Sequence, residues 1–122
     1  MASPDDILSG LRLLLVEDEA IILMMMEEVI TGFGCLVAGA ASTVSQALKI
    51  VQTEPLDGAL IDVRLDGETT LPLAHALSKK GIPFIFVTGF AVIPLEGVPV
   101  LHKPFQEHQL RSKILKHLKP AR

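Results

Sequence analysis

Leu56-Asp57-Gly58-Ala59-Leu60-Ile61-Asp62 is the stretch on which the fold turns. A turn-forming Glu54-Pro55 leads into it, and its apolar residues run on without polar alternation. That is the pattern of a strand buried on both faces of a parallel sheet. The run stops at Asp62. An Asp that ends such a strand stands at the carboxyl edge of the sheet, where open α/β folds place their ligands. A lone Asp in that position more often caps a loop or helix, so its meaning depends on what the other strand ends carry.

Toward the N-terminus, Leu11 to Val16 reads as a first strand and ends in Glu17-Asp18-Glu19. Ile22, Met26, Val29, Ile30 and Phe33 follow at helical spacing, predicting a helix over about 19–31 that Gly32 and Gly34 stop. Met24, Met25 and Met26 are read as core packing. Cys35 to Ala40 is a weaker strand. Ser42 is the expected N-cap of a second helix carrying Val44, Ala47, Leu48 and Val51 on one face. Beyond the central strand (57–62), Thr70-Leu71-Pro72 opens a third helix that Gly81 closes. Ile82 to Thr88 and Val98 to His102 are the fourth and fifth strands. Leu110, Ile114 and Leu118 mark a last helix over about 106–118.

Strands and helices thus alternate, the signature of a doubly wound parallel sheet covered on both faces. One connection is short. Nine residues, Gly89 to Gly97 with Pro94 among them, separate the fourth and fifth strands. A parallel crossover ordinarily needs a dozen or more, so the fourth helix is expected to be absent, shortened or irregular.

Four strand ends carry polar groups: Glu17 and Asp18, Asp62, Thr88, and Lys103 followed by Pro104. With strand order 2-1-3-4-5, the first and third strands are neighbours, and Glu17, Asp18 and Asp62 share one pocket. Three adjacent carboxylates repel unless some are protonated or a cation sits among them. Oxygen ligands with room for water and phosphate suit Mg²⁺, and the backbone carbonyl of Arg64 is a candidate further ligand. Asp62 is then the candidate nucleophile, giving an aspartyl phosphate. Lys103 offers a point charge and Thr88 a hydroxyl for phosphoryl oxygens. Taken singly each residue has an ordinary reading, but jointly they favour a site.

These residues resemble a known family, the receiver domain of two-component response regulators. The likeness is carried by Val16-Glu17-Asp18, Ala59-Leu60-Ile61-Asp62, Val87-Thr88-Gly89 and His102-Lys103-Pro104-Phe105, and it extends from Leu11 to Leu118. It implies a flavodoxin-like (βα)5 fold and Mg²⁺-dependent phosphoryl transfer to Asp62 from a histidine kinase or a histidine phosphotransfer protein. It also implies a cis Lys103-Pro104 peptide, with Glu17 and Asp18 on the metal and Thr88 and Lys103 on the phosphoryl group. Phe86-Val87-Thr88-Gly89-Phe90 resembles the motif of the FAT GUY subgroup, whose members often partner kinases of the HWE or a related type. The chain departs from the wider family at Val100, where an aromatic switch residue is usual, and in its short segment between Thr88 and Lys103. Phe90 either substitutes for that switch or simply packs over the loop.

Residues 1–10 are expected to be a leader and 11–119 a single stand-alone domain acting through protein–protein contact. It would not be an enzyme beyond its own phosphorylation and dephosphorylation. A hydrolase with an aspartyl-phosphate intermediate typically needs a second Asp at the position of Arg64. A flavin phosphate would be repelled by Glu17-Asp18-Glu19. The remaining alternative is a receiver-like interaction module that no longer takes phosphate. A net charge of -3 gives no case for nucleic acid. One cysteine, Cys35, excludes an intrachain disulfide and suits a reducing compartment. No secretory signal or membrane-length apolar run is visible, so a soluble, cytoplasmic location is expected. His75, His102, His108 and His117 show no i, i+4 metal pair and are read as surface or structural residues. The basic last helix reads as a solvated face.

Overall fold

The computed structural model describes residues 7–89 and 95–118. Its main sheet is built from β1 (Arg12–Val16), β2 (Leu36–Ala41), β3 (Gly58–Ile61), β6 (Phe84–Thr88) and β7 (Val100–His102). All pairings within it are parallel and the order is β2-β1-β3-β6-β7, which is 2-1-3-4-5 counted along the main sheet. A second, two-stranded antiparallel sheet joins β4 (Arg64–Leu65) and β5 (Glu68–Thr69). Four helices are present among the described residues: α1 (Ala20–Gly32), α2 (Val44–Thr53), α3 (Leu71–Lys79) and α4 (Glu107–His117). This is the expected flavodoxin-like arrangement. The turn at Leu95 to Gly97 leads toward β7, while 90–94 lie outside the described residues, and with them Phe90 and most of the segment whose helix was expected to be absent, shortened or irregular.

The apolar strands divide their residues between two cores because successive side chains on a strand point to opposite faces. Leu14, Val16, Ala59, Ile61, Phe84 and Phe86 pack with α2 and α3 on one side. Leu13, Leu15, Leu60, Ile85 and Val87 pack with α1 and α4 on the other. No polar alternation is possible in a strand sandwiched this way. Leu8, inside the stretch read as a leader, is also fully buried in the second core.

Two local expectations change. Of the three consecutive methionines only Met26 is buried, while Met24 and Met25 face solvent. Consecutive helical residues are about 100° apart, so three in a row cannot share one buried face. The N-cap of α2 is Thr43, whose hydroxyl accepts from Gln46 N–H at 3.1 Å. Ser42 instead turns its own amide to Gln46 Oε1 at 3.0 Å.

Candidate functional site

Hydrogen bonding at the strand ends brings the distant residues together. Beyond β3, the Asp62 amide donates to Val16 O at 3.0 Å, carrying the β1–β3 ladder one residue past the strand. On the other side of β1, the Glu17 amide donates to Ala41 O at 3.0 Å. Glu17 and Asp62 therefore leave adjacent strands at the same edge. On the far side of β3, Thr88 ends β6, and its carbonyl accepts from Lys103 N–H at 2.8 Å. That bond draws the residue after β7 back toward the centre.

The side chains converge accordingly. Lys103 Nζ forms ion pairs with Glu17 Oε1 and with Asp62 Oδ2, the latter at 2.9 Å. Glu17, Asp18 and Asp62 each present a carboxylate oxygen, and the three lie within 4.8 Å of one another. Glu17 is 1% exposed and Asp62 8%, whereas Asp18 lies at the open rim. The Lys103–Pro104 peptide is cis. Thr88 is fully buried at the same edge. The Arg64 amide points at Asp62 Oδ1 from 3.5 Å, and its guanidinium donates to Gly67 O at 2.7 Å. Position 100, where an aromatic switch would stand, holds Val100 on β7 opposite Phe86, packed in the core with α2 and α3.

Among the described residues, three carboxylates against one ammonium leave two formal negative charges uncompensated within the cluster. Burial pushes the Glu17 carboxyl up, against the lowering pull of Lys103. Burial would also raise Asp18, but hydrogen bonding outweighs it, first from the Asp66 amide at 2.7 Å, and holds that carboxyl below its usual range. Lys103 loses solvent, which alone would depress it, yet its bonds to Glu17 and Asp62 hold it above the ordinary lysine value. The ammonium is thus firmly charged. An all-oxygen donor set with surplus negative charge and an open side fits a hard, hydrated dication.

Among the described residues no histidine joins the three carboxylates as a possible metal ligand, and His75, His102 and His108 are exposed. Two features escaped sequence reasoning. One is the β4–β5 hairpin, whose turn residues Asp66 (φ 47°) and Gly67 (φ 83°) place the Asp66 amide on Asp18. An Asp-Gly pair is a known hairpin signal and could have found it. The other is Thr70, whose buried hydroxyl lies 2.6 Å from the Asp62 carbonyl. No sequence signal would have found it, because its acceptors are backbone atoms.

The family model of the response regulator receiver domain matches residues 13–115. The chain belongs to that family. As a receiver it is similar to the phyllosphere-induced regulator PhyR of Methylorubrum extorquens, with 32% identity over 111 residues. Those residues are 84% of this chain and 42% of that relative, so the receiver spans less than half the relative's length. The PhyR receiver domain of Erythrobacter litoralis superposes with a TM-score of 0.79 at 30% identity, covering 88% of this chain and 89% of that one. The BeF3-activated conformation of SdrG from Pseudomonas melonis Fr1 gives 0.73 at 35% identity, covering 87% and 95%.

Proposed function

We propose that this receiver takes a phosphoryl group on Asp62 from a phosphohistidine of a histidine kinase, of the HWE type, or of a histidine phosphotransfer protein. The observation that carries the reading is the Asp62 carboxylate itself. It is almost buried at the end of β3, 2.9 Å from Lys103 Nζ, in one cluster with Glu17 and Asp18. A buried acceptor flanked by a fixed cation and by spare negative charge suits in-line transfer, which depends mainly on positioning and electrostatics. SdrG takes a BeF3-activated conformation, and BeF3 resembles a phosphoryl group in shape and charge.

In the transfer, an Asp62 carboxylate oxygen forms the new P–O bond as the P–N bond to the donor imidazole breaks. The imidazole nitrogen keeps the electron pair and the proton balance stays with the donor. Lys103, already on Asp62, is placed to follow the phosphoryl oxygens, and Thr88 supplies a hydroxyl to them. Glu17, Asp18, Asp62 and the Arg64 carbonyl would hold Mg²⁺, which neutralises phosphoryl charge when bound. The domain proposed to do this spans 11–119, works in the cytoplasm and signals by contact with a protein partner. Its only catalysis is on itself.

The test is the intact mass of the chain after incubation with acetyl phosphate or phosphoramidate, with and without Mg²⁺. One phosphoryl adduct that needs Mg²⁺ and disappears in Asp62→Asn is the expected result. Labelling that persists in Asp62→Asn would refute the assignment of Asp62. No adduct, where a known receiver is labelled, would favour an interaction module that does not take phosphate.

A further inference from the structure

Asp62 is the first residue beyond its strand, and its backbone must be held by something other than the continuing ladder. Its amide is fixed to β1 through Val16 O. Its carbonyl is fixed by Thr70. The Thr70 hydroxyl has one proton and two carbonyls within reach, Asp62 O at 2.6 Å and Val63 O at 2.9 Å. Val63 O already accepts the Thr70 amide at 3.0 Å, so Asp62 O is the acceptor that depends on the hydroxyl. Thr70 is itself immobilised, fully buried, with its carbonyl accepting from Ala74 N–H at 3.0 Å as α3 begins.

We infer that Thr70 is a positioning residue for the Asp62 carboxylate, acting by clamping the Asp62 carbonyl to the start of α3. The inference rests on the phosphoacceptor reading of Asp62. With both its amide and its carbonyl held, Asp62 has little freedom at φ or ψ, and the direction of its Cα–Cβ bond is set. That direction puts Oδ2 against Lys103. Without the hydroxyl, the buried carbonyl lacks this partner and the peptide can turn to find another. The carboxylate then swings with it. In a reaction that runs on alignment, a displacement of about 1 Å costs up to about 100-fold in rate.

Thr70→Val removes the donor at constant shape, and Thr70→Ser retains it. Each is compared with the native chain by the rate of acetyl phosphate labelling, read by intact mass at saturating Mg²⁺ over a range of donor concentrations. Mg²⁺ binding is read separately by calorimetry, and folding by circular dichroism. In Thr70→Val the limiting rate should fall by about 10-fold or more while the half-saturating donor concentration stays unchanged. Mg²⁺ should bind more weakly, because Asp62 is one of its proposed ligands. Thr70→Ser should recover most of both losses. A folded Thr70→Val that labels at the native limiting rate overturns the inference, as does a Thr70→Ser no better than Thr70→Val. If Thr70→Val does not fold, Thr70→Ala against Thr70→Ser makes the same comparison. Native protein that takes no label overturns the phosphoacceptor reading itself. Native labelling with unaffected Thr70 variants overturns the clamp alone.

Discussion

Replacing Lys103 by methionine keeps most of the side-chain volume and removes the ammonium that, among the described residues, pairs with the acidic cluster. Glu17 and Asp62 are then left nearly buried beside Asp18 with no ammonium between them. Breaking a fully buried ion pair by deleting one partner costs about 3–5 kcal/mol. Here Lys103 keeps some contact with water, its side chain 17% exposed, so the expected loss is nearer 2–3 kcal/mol, on the order of a quarter of a small domain's stability. With a urea m-value of about 1–2 kcal/mol/M, the midpoint of unfolding in EDTA should drop by roughly 1–3 M at pH 7.5.

The loss should also depend on pH. Burial already pushes Glu17 above the ordinary carboxylate range, and deleting Lys103 removes the interactions that pull it back down. In the window between the unfolded and folded values the native state binds more protons than the unfolded state, so stability falls as pH rises. The gap between Lys103→Met and the native chain should therefore be wider at pH 7.5 than at pH 5. Mg²⁺ should recover part of it, since a dication bound only by the folded state stabilises by mass action. Equal urea midpoints for the two proteins in EDTA at pH 7.5 would refute the argument that Lys103 compensates buried charge.

Cys35 is 2% exposed and burial pushes its thiol up to about 11. It should resist a thiol reagent at pH 8 in the folded chain and react fully in denaturant. Because its folded value lies above the ordinary thiol value, its contribution to stability is complete below that value and fades as pH rises through about 11, which urea melts across that range would follow. Gly58→Ala would bring a Cβ to 2.9 Å from the buried Leu118 side chain, with an expected loss of about 1–2 kcal/mol. Adding Leu118→Ala should make the pair markedly non-additive in a double-mutant cycle, and simple additivity would rule out that contact as the cause. Asp66→Ala puts a residue with no side-chain polar group at φ 47° and should cost about 1 kcal/mol, whereas Asp66→Gly should cost less, both read by thermal unfolding.

The parts of the molecule legible from the sequence are those that periodicity or a strand end encodes. Leu13 to Val16 and Ala59 to Ile61 advertise burial on both faces. The polar residues that close β1, β3, β6 and β7 then fall at one edge because every pairing in the main sheet is parallel. Glu17, Asp62 and Lys103 met where strand ends must meet. Less legible was anything decided by a few residues of backbone. A two-residue strand such as Arg64–Leu65 is too short for alternation to register. The choice of Thr43 over Ser42 as a cap depends on which hydroxyl Gln46 leaves available.

Thr70 and Asp66 share a physical reason for being hidden. Thr70 acts on a carbonyl and Asp66 through an amide, and main-chain groups are the same at every position. Sequence displays the carboxylates that carry charge but not the backbone bonds that aim them. The Asp18 carboxylate accepts from the hairpin amide of Asp66 and the Asp62 carbonyl from the Thr70 hydroxyl just before α3, so both acidic residues are bonded to the one segment between β3 and α3. If Thr70 clamps Asp62 as inferred, a displacement of residues 63–70 moves two of the three carboxylates of the cluster. Under the proposed function, that coupling would tie the segment's conformation to the cation and phosphoryl group at the cluster, through main-chain bonds rather than a further charged residue.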